Sequence, residues 1–234
     1  LYYPIVGKAR ETMISTAESA GIDWREKYIT LKDKLDAAGI DDEQITSIMN
    51  ENEGVEFPEY YQQKFHGYKQ GNLCFDSAIE QEIAGKAVGA RNFPDEGANG
   101  EAVLRESYDR EIKRLLGTQL LDESQQLVVD FGSGTGTSTR RLASLFTNAN
   151  EIRGIDLSPY MVGVGRFLMG EGNIGPGEWV EDFTRDSRVS LTFGDIASTG
   201  LPSGSVDVVS ICLVLHELPK EATESVLQEA YRIL

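Results

Sequence analysis

The feature that most limits what this chain can fold into is a change of rhythm after Gly117. From there short apolar runs at residues 127–131, 152–157, 189–193 and 206–215 read as strands, and residues 137–146, 159 onward and 220–234 read as helices. Strand and helix alternating at this spacing require a parallel sheet with right-handed crossovers, because a parallel neighbour is reached only through a connection long enough to carry a helix. The first turn of the series is VVDFGSGTGTST, residues 128–139, which places Gly132, Gly134 and Gly136 within five positions. In open parallel sheets ligands lie beyond the C-terminal strand ends, and the first strand-to-helix turn is their usual cradle. Glycine there permits positive φ and close approach of a ligand to main-chain N–H groups, and the following helix offers its positive end to an anion.

Residues 1–117 carry only the helical period. Trp24, Tyr28, Leu31 and Leu35 form a stripe that stops at Gly39, and Phe75, Ala78, Ile79, Ile83, Ala87 and Val88 form a second. A third, Leu104, Tyr108, Ile112, Leu115 and Leu116, ends at Gly117. Asp41 or Asp42 suits the N-cap of a shorter helix bearing Ile45, Ile48 and Met49. Residues 92–100, with Pro94, Gly97 and Gly100, read as a loop or hinge. The expected organisation is a helical extension or lid over residues 1–117 and an α/β core over residues 118–234.

The formal charge of −16, with Lys and Arg scattered among acids, sets a field that repels phosphate backbones and argues against nucleic acid as a partner. No apolar run approaches the ~20 residues of a membrane helix, so a soluble protein without a membrane span is expected. Cys74 and Cys212 lie in apolar sequence and read as reduced thiols, which implies an intracellular reducing compartment, cytoplasm or organelle stroma. Residue 1 is Leu, which leaves room for a preceding targeting peptide. With His66 and His216 the only histidines, no metal-ligand spacing occurs and no metal is expected.

The ligand class turns on spacing. Dinucleotide folds use G-x-G-x-x-G, whereas this loop reads D-x-G-x-G-x-G from Asp130, which disfavours a nicotinamide-dependent oxidoreductase. Asp156, at the tip of the second strand, can accept two hydrogen bonds from vicinal ribose hydroxyls; a helix-start acid beside Ser158 is the plainer alternative. After the third strand come Gly194, Asp195 and Ile196, where the carboxylate can accept from an exocyclic adenine amine while Ile196 covers a ring face; a turn acid is the alternative there.

Taken in order, these pieces resemble a class I S-adenosylmethionine-dependent methyltransferase of the small-molecule type, from about residue 120 to residue 234. VVDFGSGTG is similar to the family's first motif and RGIDLSPYMV to its second, and LTFGDIASTGLPSGSVDVVSICLVLHELP is similar to its third strand, acidic turn and fourth strand. The resemblance implies a Rossmann-like parallel sheet, S-adenosylmethionine as cofactor, and methyl transfer to a small-molecule acceptor by in-line displacement. It further implies that Gly132, Ser133 and Gly134 meet the methionine moiety in a loop completed by Gly136 and oriented by Asp130. Asp156 and Leu157 would hold the ribose, Asp195 and Ile196 the adenine with Met161 near the base, and Leu213 would lie beside the sulfonium.

His216 is placed by the same resemblance to face the pocket, as a general base or as a histidine that only hydrogen-bonds a loop or the acceptor, with Glu217 orienting it or capping the next helix. Arg91 or Arg105 is the candidate partner of the methionine carboxylate; residues 57–76, rich in aromatics, are a candidate lid or part of the core, and residues 170–188 are another candidate lid. There is no Asn-Pro-Pro-aromatic tetrad after the fourth strand, so the exocyclic-amine DNA methylases are not matched. The family's sheet has seven strands, and only about four are expected before the sequence stops at YRIL. The expectation is therefore a C-terminally incomplete chain, with the fourth-strand edge covered by the missing strands or by a partner chain. A non-catalytic binding or assembly protein on the same fold is the competing reading.

Overall fold

The expected strands assemble into a single four-stranded parallel sheet of order β3-β2-β1-β4 in a computed structural model that describes residues 3–64, 67–121, 124–170 and 185–234. The strands are β1 (Leu127–Phe131), β2 (Glu151–Asp156), β3 (Val189–Phe193) and β4 (Val208–Ile211). Val128 pairs with Ile152 on one side and Val208 on the other, so β1 is interior to the sheet. The crossovers carry α6 (Thr137–Leu145) and α7 (Pro159–Leu168), and α8 (Lys220–Ile233) follows β4. This is an α/β, Rossmann-like architecture, as the alternation of periods requires.

Side chains of β1 separate by the two-residue period of a strand. Val128 packs with Leu142 of α6, Phe146 just after it and Val162 of α7, whereas Val129 and Phe131 pack with Val226, Ala230 and Ile233 from α8. Helices therefore cover both faces, and β1 is buried on both.

The leading residues form α1 (Tyr3–Ser19), α2 (Trp24–Ala37), α3 (Asp42–Asn50), α4 (Phe75–Asn92) and α5 (Gly100–Leu121). Asp41 is the N-cap of α3, its side chain accepting from the N–H groups of Glu43 and Gln44. Leu31, Leu35, Ala78 and Ile79 of α2 and α4 pack on Val164, Phe167 and Leu168 of α7, and Ile45 and Ile48 of α3 join the core beneath α6. The leading helices thus share hydrophobic surface with the sheet region through α7. Between α4 and α5, a Cβ on Gly89 would overlap the backbone of Glu101, and one on Gly100 would overlap Gly89. Only glycine permits that crossing.

Several expectations need correction. The fourth strand is four residues long, not the whole run 206–215, because Leu213 takes φ +58° and the chain turns into a 3₁₀ segment, Leu215–Glu217. Among the described strands β4 lies at the sheet edge, with Val208 and Ser210 buried and Val209 and Ile211 half-buried. Residues 92–100 hold a 3₁₀ helix, Pro94–Asn99, with Gly97 at φ +52°. Val88, Met49 and Leu115 are exposed despite lying among the apolar positions of their helices. Gly117 does break α5, at φ +71°. Among the described residues no helix is long and apolar enough to cross a membrane.

Candidate functional site

At the C-terminal tip of β1 the chain enters the glycine turn with φ of +68° at Gly132, +55° at Gly134 and +91° at Gly136. L side chains rarely adopt such angles, and two of these positions are also crowded. A Cβ on Gly132 would come 2.5 Å from Val214, and one on Gly134 would overlap the Gln81 amide of α4.

The N–H groups of this turn do not point to an open hollow. Those of Gly132 and Ser133 donate to Ile155 O at 2.8 and 3.2 Å, and that of Gly136 donates to Ser133 O at 2.9 Å. Gly134 N–H donates to the Asp156 carboxylate at 2.7 Å, and Thr135 N–H donates to Gln81 Oε1 at 2.6 Å. The expectation of main-chain donors offered to an anion is therefore not met. The turn's glycines instead admit close packing from the β2 tip, from the segment after β4 and from α4.

Two buried carboxylates support the turn from below. Asp130 accepts from the hydroxyls of Ser138 and Thr139 at 2.6 and 2.7 Å, tying β1 to the first turn of α6. Burial pushes its pKa up, and those hydroxyls pull it down. Asp156 accepts from Gly134 N–H with one oxygen and from Ser158 N–H with the other, at 2.8 Å. Burial, opposed by these two N–H groups and reinforced by the charge of Asp130, pushes its pKa up to about 6. Ser158 caps α7 through Met161 N–H and donates to Asn72 O at 2.6 Å, so the second strand's tip is joined to the segment that precedes α4.

These elements enclose a cavity of about 340 Å³. Of the residues singled out by sequence, Gly132, Ser133, Gly134, Asp156, Leu157, Met161, Asp195, Ile196, Leu213 and His216 line it. Asp130 and Gly136 do not: Asp130 is fully buried under the turn, and Gly136 is the N-cap of α6, packed near Leu191. Asp195 accepts from Ala197 N–H at 2.8 Å. Ser133 Oγ is buried with no hydrogen-bond partner among the described residues. The His216 side chain is 61% exposed, with Nε2 3.7 Å from the Glu217 carboxylate. Glu217 also lines the cavity; burial, then the charge of Asp156, pushes its pKa up to about 7.

Arg105 lines the cavity and donates to Glu101 at 2.8 Å, whereas Arg91 is exposed and outside the lining. From the candidate lid at 57–76, Tyr60, Tyr61, Tyr68 and Asn72 reach the lining. The lid at 170–188 falls for the most part outside the described residues, as does His66. Cys74 and Cys212 are free and half-buried, and Cys212 borders the cavity. No group of side chains among the described residues is arranged to hold a metal ion.

Sequence reasoning missed Met13, Gln81 and Gly85, which line the cavity from α1 and α4. The signal was present in α4: Ser77, Gln81 and Gly85 recur at helical spacing beside the apolar stripe, as a second face made of small and polar groups.

Residues 128–234 match a family model described as a methyltransferase domain. No curated protein matches the chain in sequence. Among solved structures, a Methanococcus maripaludis protein provisionally described as an S-adenosyl-L-methionine-dependent methyltransferase shares 20% identity, covering 63% of this chain and 58% of its own, with a TM-score of 0.43. Phosphoethanolamine N-methyltransferase 2 from Haemonchus contortus, solved with phosphomonomethylethanolamine and S-adenosylhomocysteine, shares 22% identity over 55% of this chain and 25% of its own, with a TM-score of 0.42. A Thiobacillus denitrificans S-adenosylmethionine-dependent methyltransferase bound to S-adenosylhomocysteine shares 22% identity over 51% of this chain and 43% of its own, with a TM-score of 0.32. The chain thus spans less than two thirds of each of these proteins.

Proposed function

We propose that the protein, whose residues 128–234 match a methyltransferase-domain model, is a class I, S-adenosylmethionine-dependent methyltransferase that binds this cofactor in the cavity at the strand tips and passes its methyl group to a small-molecule acceptor. The observation that carries the reading is the joint placement of the glycine turn, Asp156 and the Asp195–Ile196 pair around one cavity of about 340 Å³. The donor set fits the group. Asp156 offers carboxylate oxygens at the edge of the cavity for ribose hydroxyls, Asp195 and Ile196 suit an adenine edge and face, and Met161 and Leu157 supply apolar cover. Ser133 Oγ is a buried hydroxyl in need of a partner at the place assigned to the amino-acid end.

The cofactor supplies an electrophilic methyl carried on a sulfonium. The residues of this chain bind, orient and exclude water. Alignment of a bound acceptor with that methyl is worth up to ~7–11 kcal/mol, which a cavity roofed by α4, Tyr61 and Leu213 is suited to provide. For an acceptor that must lose a proton, His216 at the rim is the candidate base, with Glu217 beside it. The charge of the cavity, with Asp156, Asp195 and Glu217 in its wall, suits a cationic cofactor. The β4 edge and the exposed Leu227 and Tyr231 of α8 form the surface on which a partner chain or a further part of the protein would pack.

Calorimetric titration with S-adenosylhomocysteine, followed by a mass-spectrometric search for methylated products across a metabolite panel, tests the proposal. Binding with a methylated product supports it. Binding without turnover leaves the non-catalytic reading in its place, and no binding removes the enzyme reading.

A further inference from the structure

The Gln81 side chain projects from α4 onto the glycine turn, and its amide has only one chemically consistent orientation. Two donors of Thr135, its N–H and its hydroxyl, meet the same Gln81 atom at 2.6 and 2.5 Å. That atom is therefore the carbonyl oxygen, because an NH₂ group cannot accept from an N–H. The NH₂ group is thereby directed to the other side, against Gly134, where a Cβ would overlap it. Gln81 lines the cavity there, and its Nε2 has no protein acceptor among the described residues. The neighbouring cations are already engaged: Arg140 pairs with Glu82 and Arg105 with Glu101. The main-chain N–H groups of the turn are spent as well, as set out above.

We propose that Gln81 is a binding residue for the carboxylate of the cofactor's amino-acid end, its Nε2 supplying a hydrogen bond that the glycine turn itself no longer offers. The inference rests on the methyltransferase reading and adds to it a recognition group from the leading helices. Thr135, by fixing the amide orientation, makes the donor available without reorganisation on binding. The same contact explains why Gly134 must lack a side chain: a Cβ would push the amide off the turn.

The test compares two ligands by calorimetry. S-adenosylhomocysteine carries the amino-acid end, and 5′-methylthioadenosine lacks it but keeps the nucleoside. The variant Gln81→Glu retains oxygen acceptors for Thr135 and removes the donor, and Gln81→Ala serves as a second probe. Both are first checked for an unchanged far-UV spectrum and cooperative melting. The expected result is a loss of S-adenosylhomocysteine affinity of about tenfold or more in both variants, with methylthioadenosine affinity changed less than about twofold. Equal loss for the two ligands assigns Gln81 to holding the turn alone and overturns the inference while leaving the methyltransferase reading intact. No change for either ligand overturns it in the same way. Failure of the wild-type protein to bind either ligand overturns the methyltransferase reading itself, and the inference with it.

Discussion

Asp156 spends one oxygen on Gly134 N–H and the other on Ser158 N–H, so it fastens the first turn to the second strand's tip while facing the cavity. Its pKa near 6 lies above the 3.8 of an unperturbed aspartic acid, so the folded state holds the proton more tightly than the unfolded chain does. Ionisation therefore costs stability as pH rises from about 4 through about 6, and acidification over the same window returns it. Ribose hydroxyls donate more strongly to the ionised form, so ligand affinity follows the opposite course. S-adenosylhomocysteine should bind less tightly as pH falls below about 6, and Asp156→Asn should flatten that profile. Because Glu217 titrates near 7 in the same cavity, Glu217→Gln is the control, and a profile that follows Glu217 instead would reassign the effect. His216 makes a separate prediction: if it is the base, His216→Ala lowers kcat by ~10²–10⁴-fold with cofactor affinity unchanged. An unaltered kcat would leave it as a rim histidine.

At the scale of elements, the period switch made β1, β2, β3 and α8 legible to within a residue or so: β1, buried on both faces, is written as a near-continuous apolar run, β3 alternates with the period of a strand, and α8 carries the helical period. The same logic over-read β4. An apolar run of ten residues looks like one buried strand, yet Leu213 sits at φ +58° and Cys212, Leu213 and Val214 line the cavity. Composition does not distinguish a side chain buried in a sheet from one buried in a loop. The crossing of α4 and α5 was also invisible, since a helical glycine that permits backbone contact looks like any weak helix former. Gly89→Ala should therefore do the reverse of what helix propensity suggests and destabilise the fold by about 1–3 kcal/mol, a fall of several degrees in Tm. An unchanged or raised Tm on thermal unfolding would show that the helices can part without cost.

Over the whole molecule, ten of the twelve residues assigned from sequence to the cofactor or to the base line one cavity, since strand tips of a parallel sheet converge by topology. The contribution of the leading helices was not legible. Gln81 and Met13 reach the cavity through long-range packing, of α4 on α7 and of α1 on α4, that no local pattern encodes, whereas Tyr61 lies in the segment 57–76 singled out from sequence. That packing has a thermodynamic consequence. A ligand at a hundred times its Kd adds ~2.7 kcal/mol, and for a chain of this size should raise Tm by roughly 5–10 °C. If the helices complete the site, amide exchange should slow in α4 as well as in the glycine turn. Slowing confined to the turn would separate the two regions.

The most direct measurement is the dissociation constant of S-adenosylhomocysteine for the wild-type protein and for Asp156→Ala. The account predicts measurable binding by the wild type and a loss of about ten- to a hundredfold in the variant, since charged hydrogen bonds of ~1.5–3 kcal/mol are removed. An equal affinity in the two proteins, or none in the wild type, would contradict it.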